Sequence, residues 1–254
     1  MNTLPEFSWP SWEGESVFVV GIGGGSDIIS AHALGEGLRP RPKELAYGNT
    51  KTRPERDWVM LSPHLATLPE APSREGLLKI SSGSTTIDRL LPRGLRGDPL
   101  ICLLEKGGES QLVEEIKGLG FSVILAVDTG GDVLARNGKR GRDQVMLSVL
   151  ERVGLPLWLF VLAPGADGQR SKEKLSADLN AAVCKSSFRG GFSLEVMRGG
   201  YQQFAPSLPK TKTPNLVLQA FESKDETMLI PRGCHPVLPV EWLRMGIAFE
   251  IRGA

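Results

Sequence analysis

Apolar and polar positions along this chain follow two alternating regimes. Short apolar runs rich in β-branched residues end in glycine-bearing turns, and most of those turns lead into segments of helical periodicity. Residues 16–20 (SVFVV) read as a strand that enters a loop holding Gly21, Gly23, Gly24 and Gly25. The loop opens a helix over 27–36, stopped by Gly35, Gly37, Pro40 and Pro42. Residues 43–50 predict a second strand ending in a Gly-Asn turn, and 57–61 a short third one. Pro63, Pro69 and Pro72 predict an irregular excursion over 62–73. A strand over 76–80 and a short helix from Ser84 to Leu91 come next.

The middle of the chain is the most regular. Residues 99–104 have the pattern of a buried strand. Residues 107–118 form an amphipathic helix, with Leu112, Ile116 and Leu119 on one stripe and Glu109, Glu114, Glu115 and Lys117 outside it. The run 121–127 (FSVILAV) is almost continuously apolar, as in a parallel sheet covered on both faces. A helix over 143–153, a buried strand over 155–162 and a helix over 171–186 complete at least two β-α-β passes, whose crossovers are right-handed by default. The fold class predicted is α/β, a Rossmann-like, mostly parallel sheet with helices on both faces.

From Phe188 the pattern changes, with glycine pairs at 190–191 and 199–200. Residues 216–221 fit a strand or a helix, and 227–230 and 247–251 fit strands. Three parts are therefore expected within one compact unit. They are an arm over 1–15 whose Trp9 and Trp12 plug an apolar face, a ligand-binding core over 16–187, and a mixed annex over 188–254 packed on that core.

Composition narrows the classes of function. With 254 residues, 41% of them hydrophobic and 23% charged, the chain can bury a full core. A formal net charge of +1 supplies no field for nucleic acid or an anionic membrane. No apolar run approaches the roughly 20 residues of a membrane span. The N-terminus lacks a signal-peptide pattern, and Cys102, Cys184 and Cys234 are odd in number without a C-x-x-C spacing. A cytoplasmic protein with reduced thiols is the expectation.

Two loops carry the candidate chemistry. Strand, glycine loop and helix in succession aim backbone N–H groups at an anion, and Gly21, Gly23, Gly24, Gly25 and Ser26 are the candidate cradle. Against the dinucleotide fingerprint, Ser26 takes the final small-residue place and Asn49 stands where an acid should end the second strand. A generic phosphate or carboxylate cradle fits better than an NAD site. Asp27 beside a phosphate needs a metal, an amine or a sugar hydroxyl between them. The second loop, Asp128-Thr129-Gly130-Gly131-Asp132, comes after the most apolar strand, and ligands of open α/β sheets bind at the carboxyl ends of strands. Asp128 and Asp132, flanking Gly130 and Gly131, suit a divalent cation, an amine or hydroxyls, with Asp128 and Asp132 as catalytic candidates. The plainer alternative is that Asp128 ends the strand and Asp132 caps the next turn.

Other features read as structural. Asp143 fits a helix cap, and Arg136, Lys139, Arg140 and Arg142 fit a solvated basic loop or one that closes over a phosphate. Residues 163–168, with Asp167, offer a third wall. Cys234 and His235 are adjacent, but neighbouring side chains on an extended segment diverge, so they do not make a nucleophile and its base. No H-E-x-x-H, G-x-S-x-G, Walker or zinc spacing is present.

Taken together, GIGGGSD (21–27), DTGGD (128–132) and the helix-opening Asp143 resemble the DUF1152 family, uncharacterised α/β proteins mainly of archaea and bacteria. The resemblance spans about residues 16–168. The chain departs from the family pattern at Ser26, where another Gly is usual, and before Asp143, where Gly-Arg replaces Ser-Pro. The resemblance implies that the two loops belong to one site and implies no activity. The expectation is an enzyme acting on a small anionic or nucleotide-like metabolite, with Mg2+ or a nucleotide as possible cofactor and a homo-oligomer as possible assembly. A non-catalytic ligand-binding module is the alternative, as is a scaffold built on the tryptophan arm.

Overall fold

The computed structural model describes residues 4–23, 25–54, 58–67, 100–135 and 141–251. The strand expected over 76–80, the helix over 84–91, Gly24, and Arg136, Lys139 and Arg140 lie outside the described residues.

Four of the five parallel strands are buried apolar runs, and the one over 44–51 carries polar residues at both ends. In chain order the five are β1 (Ser16–Gly21), β2 (Glu44–Lys51), β5 (Leu100–Leu103), β6 (Val123–Thr129) and β7 (Leu157–Leu162). The remaining strands of the main sheet are β3 (Val59–Ser62), β4 (Leu65–Thr67), β8 (Phe188–Ser193) and β11 (Met245–Ile251). The sheet runs β3-β4-β5-β2-β1-β6-β7-β11-β8. Pairing is parallel from β5 through β2, β1 and β6 to β7, and antiparallel beyond them on both sides. Counted along the chain, the parallel strands have the 3-2-1-4-5 order of a Rossmann sheet. Right-handed crossovers then place α1 (Asp27–Gly37) on one face and α2 (Glu109–Lys117) and α3 (Arg142–Val153) on the other. The direction of winding reverses between β1 and β6, which opens a crevice at their carboxyl ends.

Later helices are α4 (Lys172–Val183), α5 (Arg198–Phe204), α6 (Thr213–Glu222) and α7 (Val240–Leu243). α5 packs tightly on α1: a Cβ at Gly200 would lie 2.6 Å from Ala33 Cα, and the buried Tyr201 hydroxyl donates to Ser30 Oγ at 3.1 Å. Residues 216–221 are thus helical, within α6. Among the described residues no helix is long and apolar enough to cross a membrane.

The C-terminal region extends the main sheet through β8 and β11, while β9 (Thr227–Leu229) and β10 (Val237–Pro239) form a separate ribbon. Gly190 and Gly191, which the sequence pattern marks as a break, lie inside β8. The reason is the N-terminal arm. Phe7 N donates to Gly191 O and Gly191 N to Pro5 O, each at 2.8 Å, and a Cβ at Gly190 would stand 2.8 Å from Phe7 N. The arm then lays Phe7, Trp9 and Trp12 on the chain's own sheet, with Trp9 stacked on Phe160 at 5.7 Å and Trp12 edge-on to Trp158 at 5.9 Å.

One buried residue conflicts with this packing. His32 on α1 is 1% exposed between Tyr47 and Phe204, and neither ring nitrogen has a hydrogen-bond partner among the described residues. A buried, unmade hydrogen bond costs about 1–3 kcal/mol. His32→Leu is therefore expected to raise stability by about 1 kcal/mol, read as a higher urea midpoint at unchanged slope. A lowered midpoint would show that the ring's packing outweighs its orphaned nitrogens.

Candidate functional site

The crevice between β1 and β6 is built from close backbone approaches. A Cβ at Gly21 would lie 2.7 Å from Asp27 C and 2.8 Å from Ile28 N, so α1 starts directly against the strand end. A Cβ at Gly23 would lie 2.5 Å from Asp27 Oδ2 and 2.6 Å from Asp143 Oδ2. At both glycines the space that a side chain would fill is taken by the protein's own groups. Gly25, at φ +62°, has nothing within 4 Å of its added Cβ and is an open position among the described residues of the loop. Ser26 holds the N-cap place of α1 without a capping hydrogen bond from its side chain.

Two carboxylates are fixed by backbone amides. Asp27 Oδ2 accepts from Gly23 N at 2.7 Å and its Oδ1 from Thr129 N at 3.3 Å. Asp128 Oδ2 accepts from Val133 N at 3.0 Å. Gln144 brings in a third. Its Nε2 donates to Val133 O at 3.2 Å and Ala135 O at 2.6 Å, and its Oε1 accepts from Gly141 N at 3.2 Å. This ties the start of α3 to the turn after β6. Asp143 is therefore not the helix cap that its position suggests: α3 begins at Arg142, and the Asp143 carboxylate turns toward the strand ends. One oxygen each from Asp27, Asp128 and Asp143 lies within 4.8 Å of the others.

Asp132, which the sequence pairs with Asp128, is ion-paired to Arg170, and its charge, after burial, still raises the pKa of Asp128 and Asp143. Its carboxylate is 3.7 Å from Arg170 Nε, and Arg170 also donates to Asp178 Oδ2 at 2.7 Å and to Asp132 O at 3.1 Å. Gly130 and Gly131 have φ of +110° and +94°, which only glycine adopts readily, and a Cβ at Gly130 would stand 2.6 Å from Asp167 Cγ. The third wall is thus present, with Asp167 packed on the second loop. The Cys234 thiol donates to Gly168 O at 3.2 Å and has no bond to His235.

The profile of DUF1152, described as a protein of unknown function, matches residues 74–240. The chain belongs to the DUF1152 family. No curated protein and no solved structure matches it. The matched segment contains the DTGGD loop and Asp143 and begins after the first glycine loop, so two of the three converging carboxylates lie within it.

The electrostatics of this DUF1152 site are dominated by burial. Asp27 is 5% exposed and Asp128 1%. Burial first, and the Asp143 charge second, push the Asp27 carboxyl well above the usual carboxylate range. Burial, then Asp27, does the same to Asp128. Asp143 is also raised by burial, opposed by Arg142, whose Nε is 3.8 Å from its Oδ1. Asp167 is pushed up to about 7 by burial and by Asp132. Each raised value means the folded state binds protons that the unfolded state, titrating near 3.9, has released. The stability these groups contribute is whole below about pH 3.9 and is lost as pH rises through the folded values. The metal-free protein is therefore expected to melt at a lower temperature at about pH 8 than at about pH 6.5. Melting curves across that interval check this, and a rising melting temperature would contradict it. His32, lowered by burial, acts in the opposite sense, but only as pH falls below its unfolded value of about 6.5.

Proposed function

We propose that this protein is an enzyme that acts on a small anionic, nucleotide-like metabolite held through a divalent cation. The observation that carries this reading is the convergence of Asp27, Asp128 and Asp143 at the switch point of the sheet. Three carboxylates this close and this buried repel one another, and they coexist either by holding protons or by sharing a cation. Their donor set is all oxygen, which suits Mg2+, Mn2+ or Ca2+ rather than a softer metal. Mg2+ held there would supply a Lewis acid for water and for a substrate phosphate. The Gly25 opening and the first turn of α1 would receive the anion beside it. A cation held by Asp27, Asp128 and Asp143 would offset the repulsion between Asp27 and a phosphate. The cation would polarise the anion and lower the pKa of a bound water, and Asp143, whose side chain is 13% exposed, is the member of the trio open to accept a proton.

A second reading, a binding module without chemistry, draws support from the trio's partners. Among the described residues, Asp27 and Asp128 are bonded to the backbone amides of Gly23, Thr129 and Val133, and no Ser, Cys or His side chain is bonded to them. A melting screen of inorganic phosphate, nucleotides, sugar phosphates and amino acids, each with and without Mg2+, tests both. The enzyme reading expects a ligand shift that needs Mg2+, disappears in Asp128→Asn and is accompanied by turnover of that ligand. A Mg2+-dependent shift with the ligand intact after long incubation leaves the module. Shifts indifferent to both Mg2+ and Asp128→Asn would sink the site itself.

A further inference from the structure

A second cavity lies at the β8 edge of the sheet, away from the carboxylate trio and sharing no residue with it. It encloses about 610 Å³ between the N-terminal arm, β8 and α7. Its walls include Trp9, Phe192, Val196, Trp242 and Met245. The arm closes one side through the backbone pairing of Glu6 with Gly191, and Trp9 meets Phe192 edge-on at 4.8 Å.

The charges around this groove are unequal in availability. Glu6 and Glu241 line it, both are exposed, and neither has an ion-pair partner among the described residues. The lining cation, Arg244, is committed. Its Nε donates to Ala220 O at 2.8 Å, and its Nη2 donates to Ala220 O at 2.5 Å and Ser223 O at 2.8 Å, holding the guanidinium at the C-terminal end of α6. The groove thus combines aromatic and aliphatic lining with two carboxylates that have no ion-pair partner among the described residues, against one guanidinium whose Nε and Nη2 are bonded to backbone carbonyls. The faces of aromatic rings attract cations, and desolvating an alkylated ammonium costs less than desolvating a bare one.

We infer that this groove binds an organic cation whose charge is wrapped in carbon, of the alkylammonium class. The apolar wall takes the alkyl groups, and Glu6 and Glu241 supply the opposite charge. A plain apolar groove would accept a neutral ligand of the same shape equally well, and a groove read by Arg244 would prefer an anion.

The test uses choline, its neutral carbon isostere dimethylbutanol and the anionic dimethylbutanoate as probes. Trp9 and Trp242 in the wall provide the fluorescence readout on the full-length protein. Choline is expected to bind at least about three-fold more tightly than dimethylbutanol, in line with cation–aromatic attraction alone, and the advantage should shrink as salt is raised. In the double variant Glu6→Gln and Glu241→Gln, exposed changes that leave the core untouched, the advantage of choline over dimethylbutanol should shrink to what cation–aromatic attraction alone supplies. Trp9→Leu, checked for an unchanged melting temperature, should weaken all three probes. Equal binding of choline and dimethylbutanol, tighter binding of dimethylbutanoate, or no fluorescence response to choline up to its solubility limit would each overturn the inference.

Discussion

Millimolar Mg2+ or Mn2+ at about pH 8 is expected to raise the melting temperature of the wild-type protein by about 5–10 °C, and Asp143→Asn is expected to erase that rise. A ligand at a hundred times its dissociation constant adds about 2.7 kcal/mol, and a chain of this size gains about 2–4 °C per kcal/mol. The sign of the variant's own effect separates a cation site from a structural acid. Asp143 has an oxygen within 4.8 Å of oxygens on Asp27 and Asp128, and among the described residues its ion-pair partner, Arg142, is 3.8 Å away with a side chain 41% exposed. Replacing it by Asn removes a repulsive charge while keeping its shape. Without metal, Asp143→Asn should therefore be at least as stable as the wild type at about pH 8, yet unresponsive to the cation. A strongly destabilised variant, or one that still responds, would mean that Asp143 serves the packing of α3 rather than a cation.

Gly23→Ala is expected to cost about 1–3 kcal/mol and to abolish the cation response together with it. The new methyl would begin 2.5 Å from Asp27 Oδ2 and 2.6 Å from Asp143 Oδ2, so both carboxylates must move. Displacing Asp27 also strains the 2.7 Å bond from Gly23 N, one of the two amide bonds that fix it. Gly141→Ala is the control. Gly141 has φ −72° and nothing within 4 Å of an added Cβ, so its replacement should stay within about 0.5 kcal/mol and leave the cation response intact. Urea melts with and without Mg2+ distinguish the two. Equal behaviour of the two variants would show that close approach at Gly23 does not set the carboxylates.

The sheet could be read from the chain because most of its parallel strands are apolar runs, and burial on both faces leaves such runs little else to become. Asp27 and Asp128 could be read for a related reason: each comes after an apolar run at a glycine turn, and the winding reverses between those two strands. Asp143 could not. An acid at the start of a helix is usually a local feature, and its role depends on Gln144 clamping carbonyls of residues 133 and 135. The ion pair of Asp132 could not be read from the chain, because its partner, Arg170, is 38 residues away. The glycines of the first loop read as room for a ligand, and the chain does not show that the side-chain space at Gly21 and Gly23 is taken by the backbone of Asp27 and Ile28 and by two carboxylates. β8 was hidden because Gly190 and Gly191 answer to an arm that arrives from the other end of the chain.

Whether Asp27, Asp128 and Asp143 hold a divalent cation is tested most directly by Mn2+ titration monitored by electron paramagnetic resonance. Free Mn2+ gives the signal, so its loss counts bound ions without requiring a substrate. The expected result is saturation at one ion per wild-type chain, displaced by Mg2+ and absent in Asp143→Asn and Asp128→Asn. Wild-type protein that leaves the free Mn2+ signal unchanged, or variants that bind as the wild type does, would contradict the site and leave the trio as carboxyls held together by shared protons.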